Sequence, residues 1–262
     1  MNYRHAYHAG NFADVLKHIL LIELIRSLQQ KEAPFFYWDT HAGTGLYNLN
    51  SLSALKTGEA EFGIKRLLSA GQLPPCLTDY VNTVKACQHS PHDYPGSPLI
   101  ARSWLRPQDR MTATELHPMD CEALQSLFKK DPQVKVLHQD AYLAIKAFLP
   151  PKERRGLLFI DPPFEDKNEF KHLLSAMKIA LQRFKTGVYA IWYPIKNTRD
   201  VAQFLEQLRS LGLPLFNITL EVGKSTLPQG LNETGIVIVN PPWRFPKTVK
   251  AMLPAISKAL KP

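Results

Sequence analysis

The sequence predicts an α/β fold built on a mostly parallel, seven-stranded sheet. Short apolar runs alternate with helical stretches over much of the chain. The first run ends in a glycine-bearing turn, Asp39-Thr-His-Ala-Gly43-Thr-Gly45, and each of the next three ends in or just before an acid. Strand–helix alternation makes strands parallel and covers both faces of the sheet.

The expected strands are Phe35–Trp38, Thr112–Leu116, Val134–His138, Gly156–Ile160, Val188–Tyr193, Phe216–Val222 and Ile236–Val239. An amphipathic helix over Asp14–Lys31 precedes them, with Val15, Ile19 and Ile22 on its apolar face. Helical stretches at Pro118–Lys130, Ala141–Phe148, Asn168–Phe184 and Asp200–Leu211 fill most of the gaps. Between the last two strands, Gly223–Thr234 shows no helical pattern, so these strands form a hairpin and one of them runs antiparallel.

One segment breaks the alternation. In nucleotide-binding α/β folds an acid sits roughly 20 residues beyond the glycine turn. Here the matching acid, Glu115, lies much further on. The excess reads as an inserted helical subdomain, residues 49–95, within a single Rossmann-like domain spanning residues 1–262. Helices are expected at Ser53–Ala70 and Leu77–Gln88, with Tyr94-Pro-Gly-Ser-Pro98 as a closing turn. The insertion would stand beside the active-site face, where it either binds substrate or only adds stability.

Composition narrows the function. The chain carries 32 Lys and Arg against 23 Asp and Glu, a net charge of +9, which favours a polyanionic partner. No apolar run approaches the ~20 residues that span a bilayer, and the N-terminus has no apolar core of a signal peptide. Cys76, Cys87 and Cys121 lack metal spacing and read as reduced thiols of a cytoplasmic protein. His5 and His8 could pair on a metal, but nothing nearby in sequence completes the site, so no metal is expected. No interface is legible, and a monomer is the expectation.

Asp161-Pro162-Pro163-Phe164, at the end of the fourth strand, points to methyl transfer to an exocyclic nucleobase amine. Such an amine is a poor nucleophile because its lone pair is delocalised into the ring. It must be held in line with the methyl donor while its N–H groups find acceptors. A carboxylate supplies one acceptor and a backbone carbonyl the other. The two proline rings fix the backbone and remove competing donors, and the aromatic offers a stacking face to a flipped base. A near-twin, Asn240-Pro-Pro-Trp243, follows the seventh strand. Ligands bind beyond the carboxyl ends of parallel strands at the switch point of the sheet. There the fourth strand is expected beside the first, whereas an antiparallel seventh strand ends at the opposite edge. Asp161 is therefore placed at the site and Asn240-Pro-Pro-Trp243 is read as structural. In the same register, the glycine turn suits the methionine part of S-adenosylmethionine, Glu115 two ribose hydroxyls, and Asp140 the cofactor's adenine amine.

Several blocks of the chain resemble the bacterial ribosomal RNA large-subunit (23S rRNA) adenine-N6 methyltransferase family J, also described as involved in catabolism of external DNA. They are Tyr3-Arg-His-Ala-Tyr-His-Ala-Gly-Asn-Phe-Ala-Asp-Val-Leu-Lys-His18, Asp39-Thr-His-Ala-Gly43, Tyr94-Pro-Gly-Ser-Pro-Leu-Ile-Ala-Arg102, Thr114-Glu-Leu-His-Pro118, Asp161-Pro-Pro-Phe164 and Trp192-Tyr-Pro194. The resemblance runs over nearly the whole chain. It implies a class I S-adenosylmethionine-dependent methyltransferase that acts on 23S rRNA, protein-free or partly assembled. It implies that His18, His41, Ser97, Glu115, Asp140 and Ala141 hold the cofactor and that Asp161 is the catalytic acid. Tyr3, His5 and Lys17 then approach the substrate, with Pro162 and Phe164 against the base. Ala141 stands where a relative carries Gly, and Phe164 where Tyr is commoner. Two other functions fit parts of the sequence. A DNA adenine-N6 methyltransferase would present the same base edge, and a non-enzymatic nucleic-acid binder serving use of external DNA would need the basic surface but not the pocket acids.

Overall fold

The computed structural model describes residues 4–223 and 231–261. A 3-10 turn at His5–Tyr7 leads into α1 (Phe12–Gln29), then β1 (Phe36–Asp39) and β2 (Leu46–Asn48). The segment beyond holds α2 (Leu52–Thr57), a 3-10 turn at Glu59–Phe62, α3 (Ile64–Leu68), α4 (Pro75–Cys87) and β3 (Asp93–Pro95). There follow α5 (Ser97–Trp104), β4 (Arg110–Glu115), α6 (Pro118–Phe128), β5 (Val134–His138), α7 (Ala141–Phe148) and β6 (Gly156–Ile160). The chain continues through α8 (Glu169–Arg183), β7 (Val188–Pro194), α9 (Thr198–Arg209), β8 (Leu215–Glu221), β9 (Glu233–Val239) and α10 (Phe245–Leu260).

The main sheet has seven strands in the order β5-β4-β1-β6-β7-β9-β8. Only β9 runs against its neighbours, pairing antiparallel with both β7 and β8. This is the strand order of class I S-adenosylmethionine-dependent methyltransferases, and the terminal hairpin is as expected. β6 pairs in parallel with β1, from Phe36 opposite Gly156 to Asp39 opposite Phe159. The ends of these strands therefore bring Asp39 and Asp161 to the centre of one edge. Residues of β1 and β6 are buried on both faces, which is why they read as unbroken apolar runs rather than alternating ones.

α1 departs from the amphipathic expectation. Apart from its C-terminal turn it is buried nearly all round, including Asp14, Lys17 and His18. It packs against β6 of the sheet and against α4, α5 and α10, so no side of it faces water for long. Asn11 caps its N-terminus by accepting from the Asp14 N–H (2.9 Å). Three ionisable groups in so dry an element need partners, and they find them at the site described below.

The 49–95 segment also differs in detail. The expected Ser53–Ala70 helix is broken into α2, a 3-10 turn and α3 at Gly58 and Gly63. Gly58 sits in the left-handed region (φ 64°), and a Cβ at Gly63 would collide with the Gly10 carbonyl oxygen. That close approach lets the Ile64 N–H donate to the same oxygen (2.8 Å). Glu59 accepts from the Asn11 amide and pairs with His8, both at 2.9 Å, so this segment clamps the chain leading into α1. β2 and β3 pair antiparallel where the segment leaves and rejoins the sheet domain. Leu77, Tyr80, Val81 and Val84 of α4 belong to the same buried apolar cluster as α1.

The near-twin motif divides into two parts. Asn240 adopts φ 54°, a left-handed conformation that asparagine tolerates better than most residues. Its Nδ2 donates to the carbonyls of Lys185 and Gly187, each at 2.8 Å, and its N–H donates to Pro214 O (2.9 Å). These partners lie at the amino ends of β7 and β8, the edge opposite Asp161. Trp243, by contrast, is 94% exposed. We expect Asn240→Ala to lower stability by about 1–3 kcal/mol, through lost hydrogen bonds and a strained φ. Denaturant unfolding measures that loss, and cofactor affinity should not change.

Candidate active site

A cavity of about 320 Å³ opens at the carboxyl edge of β1, β4, β5 and β6. His5, His18, His41, Ser97, Glu115, Asp140, Ala141 and Asp161 all line it. Lys17, Pro162 and Phe164 do not line it, although Pro163 does. Tyr3 lies outside the described residues.

Glu115 ends β4 and is 8% exposed. Its Oε2 accepts from the Gly43 N–H and its Oε1 from the His117 N–H, both at 2.8 Å. It thereby ties the glycine turn to the second strand end. Gly43 has φ 60°, and a Cβ there would strike the Tyr47 hydroxyl, so only glycine brings this N–H to Glu115. Asp140 caps α7, its Oδ1 accepting from the N–H groups of Tyr142 and Leu143. The cap uses Oδ1 alone. Ser97 opens α5 in a buried position, and Gly96 at the N-cap packs over the Tyr47 ring.

Two histidines are held neutral. His18 is 3% exposed, and its Nδ1 meets the Tyr94 hydroxyl (2.8 Å), which in turn meets the Tyr80 hydroxyl (2.9 Å). Burial drives its pKa from 6.5 down to about 3, against the pull of the Asp14 carboxylate. His41 shares a hydrogen bond with the Thr40 hydroxyl (2.8 Å) and stands edge-on to Tyr142, and burial lowers its pKa to about 4. Asp39, fully buried beneath the turn, moves the other way. Burial raises its pKa to about 7, although the Ser97 and Tyr37 hydroxyls favour the anion.

The centre of the site is a buried ion cluster that sequence reasoning did not foresee. Lys17 Nζ lies 2.6 Å from Asp161 Oδ2 and 2.8 Å from Asp14 Oδ1, and 4.7 Å above the Trp192 ring. Asp14 Oδ2 meets His5 Nε2 and accepts from the Gly10 N–H, both at 2.9 Å. Burial opposes charge on both groups, yet each is held charged. The carboxylates push the Lys17 pKa up, and His5 and Lys17 hold Asp14 well below the usual carboxylate range. Lys17 uses Asp161 Oδ2 and leaves Oδ1 outside this pairing. Asp14 was read from the sequence only as the start of a helix. Its i,i+3 spacing to Lys17 on an otherwise apolar helix was the available signal.

After Asp161 the chain turns sharply. Phe164 takes φ 49°, a left-handed conformation in a non-glycine residue, of the kind that active sites hold under strain. Its ring stands edge-on to Phe170 (5.1 Å) and Trp192 (5.6 Å). Trp192 is thus shared between Phe164 and Lys17. Other cavity residues that the sequence did not single out are Thr40, Tyr47, Tyr142 and Glu169. Among the described residues no cluster of His, Cys, Asp and Glu is arranged to hold a metal, and no helix is long and apolar enough to cross a membrane.

The His18 pKa predicts a pH dependence. In the unfolded chain His18 takes up a proton near pH 6.5, but in the folded protein only near pH 3, so acidification favours unfolding between these values. Relative to a His18→Gln variant, the wild type should lose about 1.4 kcal/mol of stability per pH unit as pH falls from ~6 to ~4. Denaturant titrations of both proteins without cofactor measure the difference, and a pH-independent difference would mean that His18 titrates normally.

Comparison with known proteins agrees with this architecture. Residues 32–262 match the family model described as "Ribosomal RNA large subunit methyltransferase D, RlmJ". The chain is 42% identical over 265 residues to Ribosomal RNA large subunit methyltransferase J of Escherichia coli strain K12, covering all of this chain and 95% of that one. It is 41% identical over 266 residues to the protein of the same name from Haemophilus influenzae, with the same coverage. A crystal structure of a Legionella pneumophila protein superposes with a TM-score of 0.89 at 38% identity, covering 97% of this chain and 95% of that one. The methyl donor of this family and fold is S-adenosylmethionine. With its strand order, its cavity and these full-length relatives, the chain belongs to the ribosomal RNA large subunit methyltransferase family RlmJ.

Proposed function

We propose that this protein transfers a methyl group from S-adenosylmethionine to the N6 amine of an adenine in 23S rRNA. The observation that carries the reading is Asp161, which opens an Asp-Pro-Pro-aromatic turn and faces the same cavity as Glu115 and Asp140 while a buried lysine fixes its carboxylate. The donor set fits the cofactor. Glu115 offers a carboxylate to two ribose hydroxyls, and the free oxygen of Asp140 suits an adenine amine. Ser97 and the turn through Gly43 face the methionine portion, with His18 and His41 as neutral walls. Ala141 keeps the backbone close at Asp140, with a methyl where a relative has glycine.

The bound cofactor supplies an electrophilic methyl on a sulfonium centre. The protein's own contribution is to place and polarise the amine. Asp161 Oδ1 accepts one amine N–H, and a carbonyl of the Pro162–Pro163 turn accepts the other. Both interactions strengthen as the nitrogen pyramidalises and its N–H groups gain positive character. Lys17, held protonated, pairs with the carboxylate at 2.6 Å and stops it from rotating. Asp161 is thus an acceptor that aims the amine, and the proton departs after methyl transfer. His5 steadies the far side of the cluster through Asp14, and Tyr3 leads into the same region of chain. Phe164 and Pro162 support the turn against which the flipped base lies.

The segment 49–95, with Leu52 89% and Phe62 51% exposed, is read as a substrate-facing subdomain beside the pocket. The remaining setting is a monomer in the bacterial cytoplasm acting on naked or partly assembled 23S rRNA. The +9 charge supports a polyanionic substrate.

Labelled methyl transfer to naked 23S rRNA, with genomic DNA as a parallel substrate and mapping of the product, tests the reading. The expected product is N6-methyladenosine in the RNA alone. Asp161→Ala should bind S-adenosylmethionine normally and lose activity by about 10³-fold. Substantial turnover by this variant would remove Asp161 from its role.

A further inference from the structure

We propose that the pole of the molecule opposite the cavity is a second rRNA-binding surface, in which a nucleobase stacks on Trp243 and the flanking phosphates are held by Lys185, Arg244 and Lys247. The inference rests on the rRNA reading above and adds a contact remote from the reacting base.

Asn240 fixes this surface. Its hydrogen bonds to Lys185, Gly187 and Pro214 bring three segments together, the turns before β7 and β8 and the Pro-Pro turn after β9. Trp243 projects from the last of these and is 94% exposed, the most exposed of the large apolar side chains among the described residues. Two prolines and the left-handed Asn240 fix the backbone from which the indole projects, so little backbone freedom is lost when a base stacks on it. An isolated solvent-facing tryptophan on a rigid turn buries nothing within its own chain. Base stacking on such a ring is sequence-tolerant and worth a large share of single-strand binding.

The charge around the indole selects the partner. From Asn240 to Pro262 the chain contains no Asp or Glu, and Arg244, Lys247, Lys250, Lys258 and Lys261 are all exposed. Lys247 and Lys250 stand three residues apart on α10 and so share a side of the helix. Lys185, also exposed, comes in from the neighbouring turn, and the segments 184–187 and 211–214 carry no acid either. A protein partner would favour an apolar core ringed by charges of both signs. One exposed aromatic flanked by Lys185, Arg244 and Lys247 fits a nucleic-acid strand. β7, with seven residues, spans the sheet between this pole and the cavity edge, a distance of about 20 Å. A strand gripped here is therefore a different part of the RNA from the target adenine, or its flank after a fold.

The test compares wild type, Trp243→Ala and the triple variant Lys185→Gln/Arg244→Gln/Lys247→Gln, all full length. Each altered side chain is exposed, so folding and cofactor affinity should stay unchanged. Filter binding of labelled 23S rRNA over a salt series is expected to show roughly tenfold weaker binding for Trp243→Ala. The triple variant should show a salt slope reduced by about 2–3. In methyl transfer both variants should raise KM for 23S rRNA without lowering kcat. On a short RNA that carries only the target adenine and its immediate flanks they should match the wild type. Binding and salt slope equal to wild type would overturn the proposal, whether or not the protein methylates RNA. A changed oligomeric state with unchanged RNA binding would also overturn it and make this pole a protein contact. Absence of methylation by the wild type would instead count against the proposed function.

Discussion

A lysine ammonium buried between two carboxylates and an indole joins the N-terminal helix to the end of β6. Lys17 and Asp14 come from α1, Asp161 from the end of β6, and Trp192 from β7. Taking such charges out of water costs several kcal/mol per ion, which only close pairing and additional hydrogen bonds offset. Each member here has them. Asp14 also receives the Gly10 N–H and His5, so its charge is neutralised from two sides. Removing Lys17 leaves two carboxylates facing each other without the cation between them, and the helix, the chain before it and the turn after β6 would loosen together. The clamp of Glu59 on His8 and Asn11 extends the same dependence into the 49–95 segment.

Around this cluster the ionisable groups are sorted by environment rather than by type. Asp14 lies below the usual carboxylate range because cations face it, whereas Asp39, equally buried, is raised to about 7. His18 and His41 are neutral at physiological pH, so they add polar contacts to the cofactor pocket without adding charge. Another wall of the cavity, by contrast, carries Asp161, paired with Lys17. A site that must bind a cation-bearing cofactor and aim a neutral amine needs this division.

Much of the architecture was legible in the sequence. The seven main strands appear as apolar runs, and the lack of helical pattern between the last two betrayed the hairpin that sends Asn240 to the far edge. Glu115 and Asp140 could be matched to the pocket because each terminates or follows a parallel strand, a periodic and local signal. What was hidden depended on distant contacts or on proline read as a breaker. α10 went unseen because Pro246 and Pro254 interrupt its pattern, although the first sits in its opening turn where no N–H is missed. α5 was taken for part of a closing turn for the same reason, with Pro98 in its first turn. The break at Gly63 is set by the Gly10 carbonyl on another segment. The i,i+3 spacing of Asp14 and Lys17 is local, but the cluster they form is not, because its other carboxylate, Asp161, lies 144 residues beyond Lys17.

A double-mutant cycle on methyl transfer tests the cluster most directly. If Lys17 acts by holding the Asp161 carboxylate, Lys17→Gln should cut kcat strongly in the wild type yet add little once Asp161 is Asn. The coupling energy should then be at least ~2 kcal/mol. Losses that simply add, with each variant costing the same in either background, would show that the lysine and the carboxylate act independently and would contradict this account.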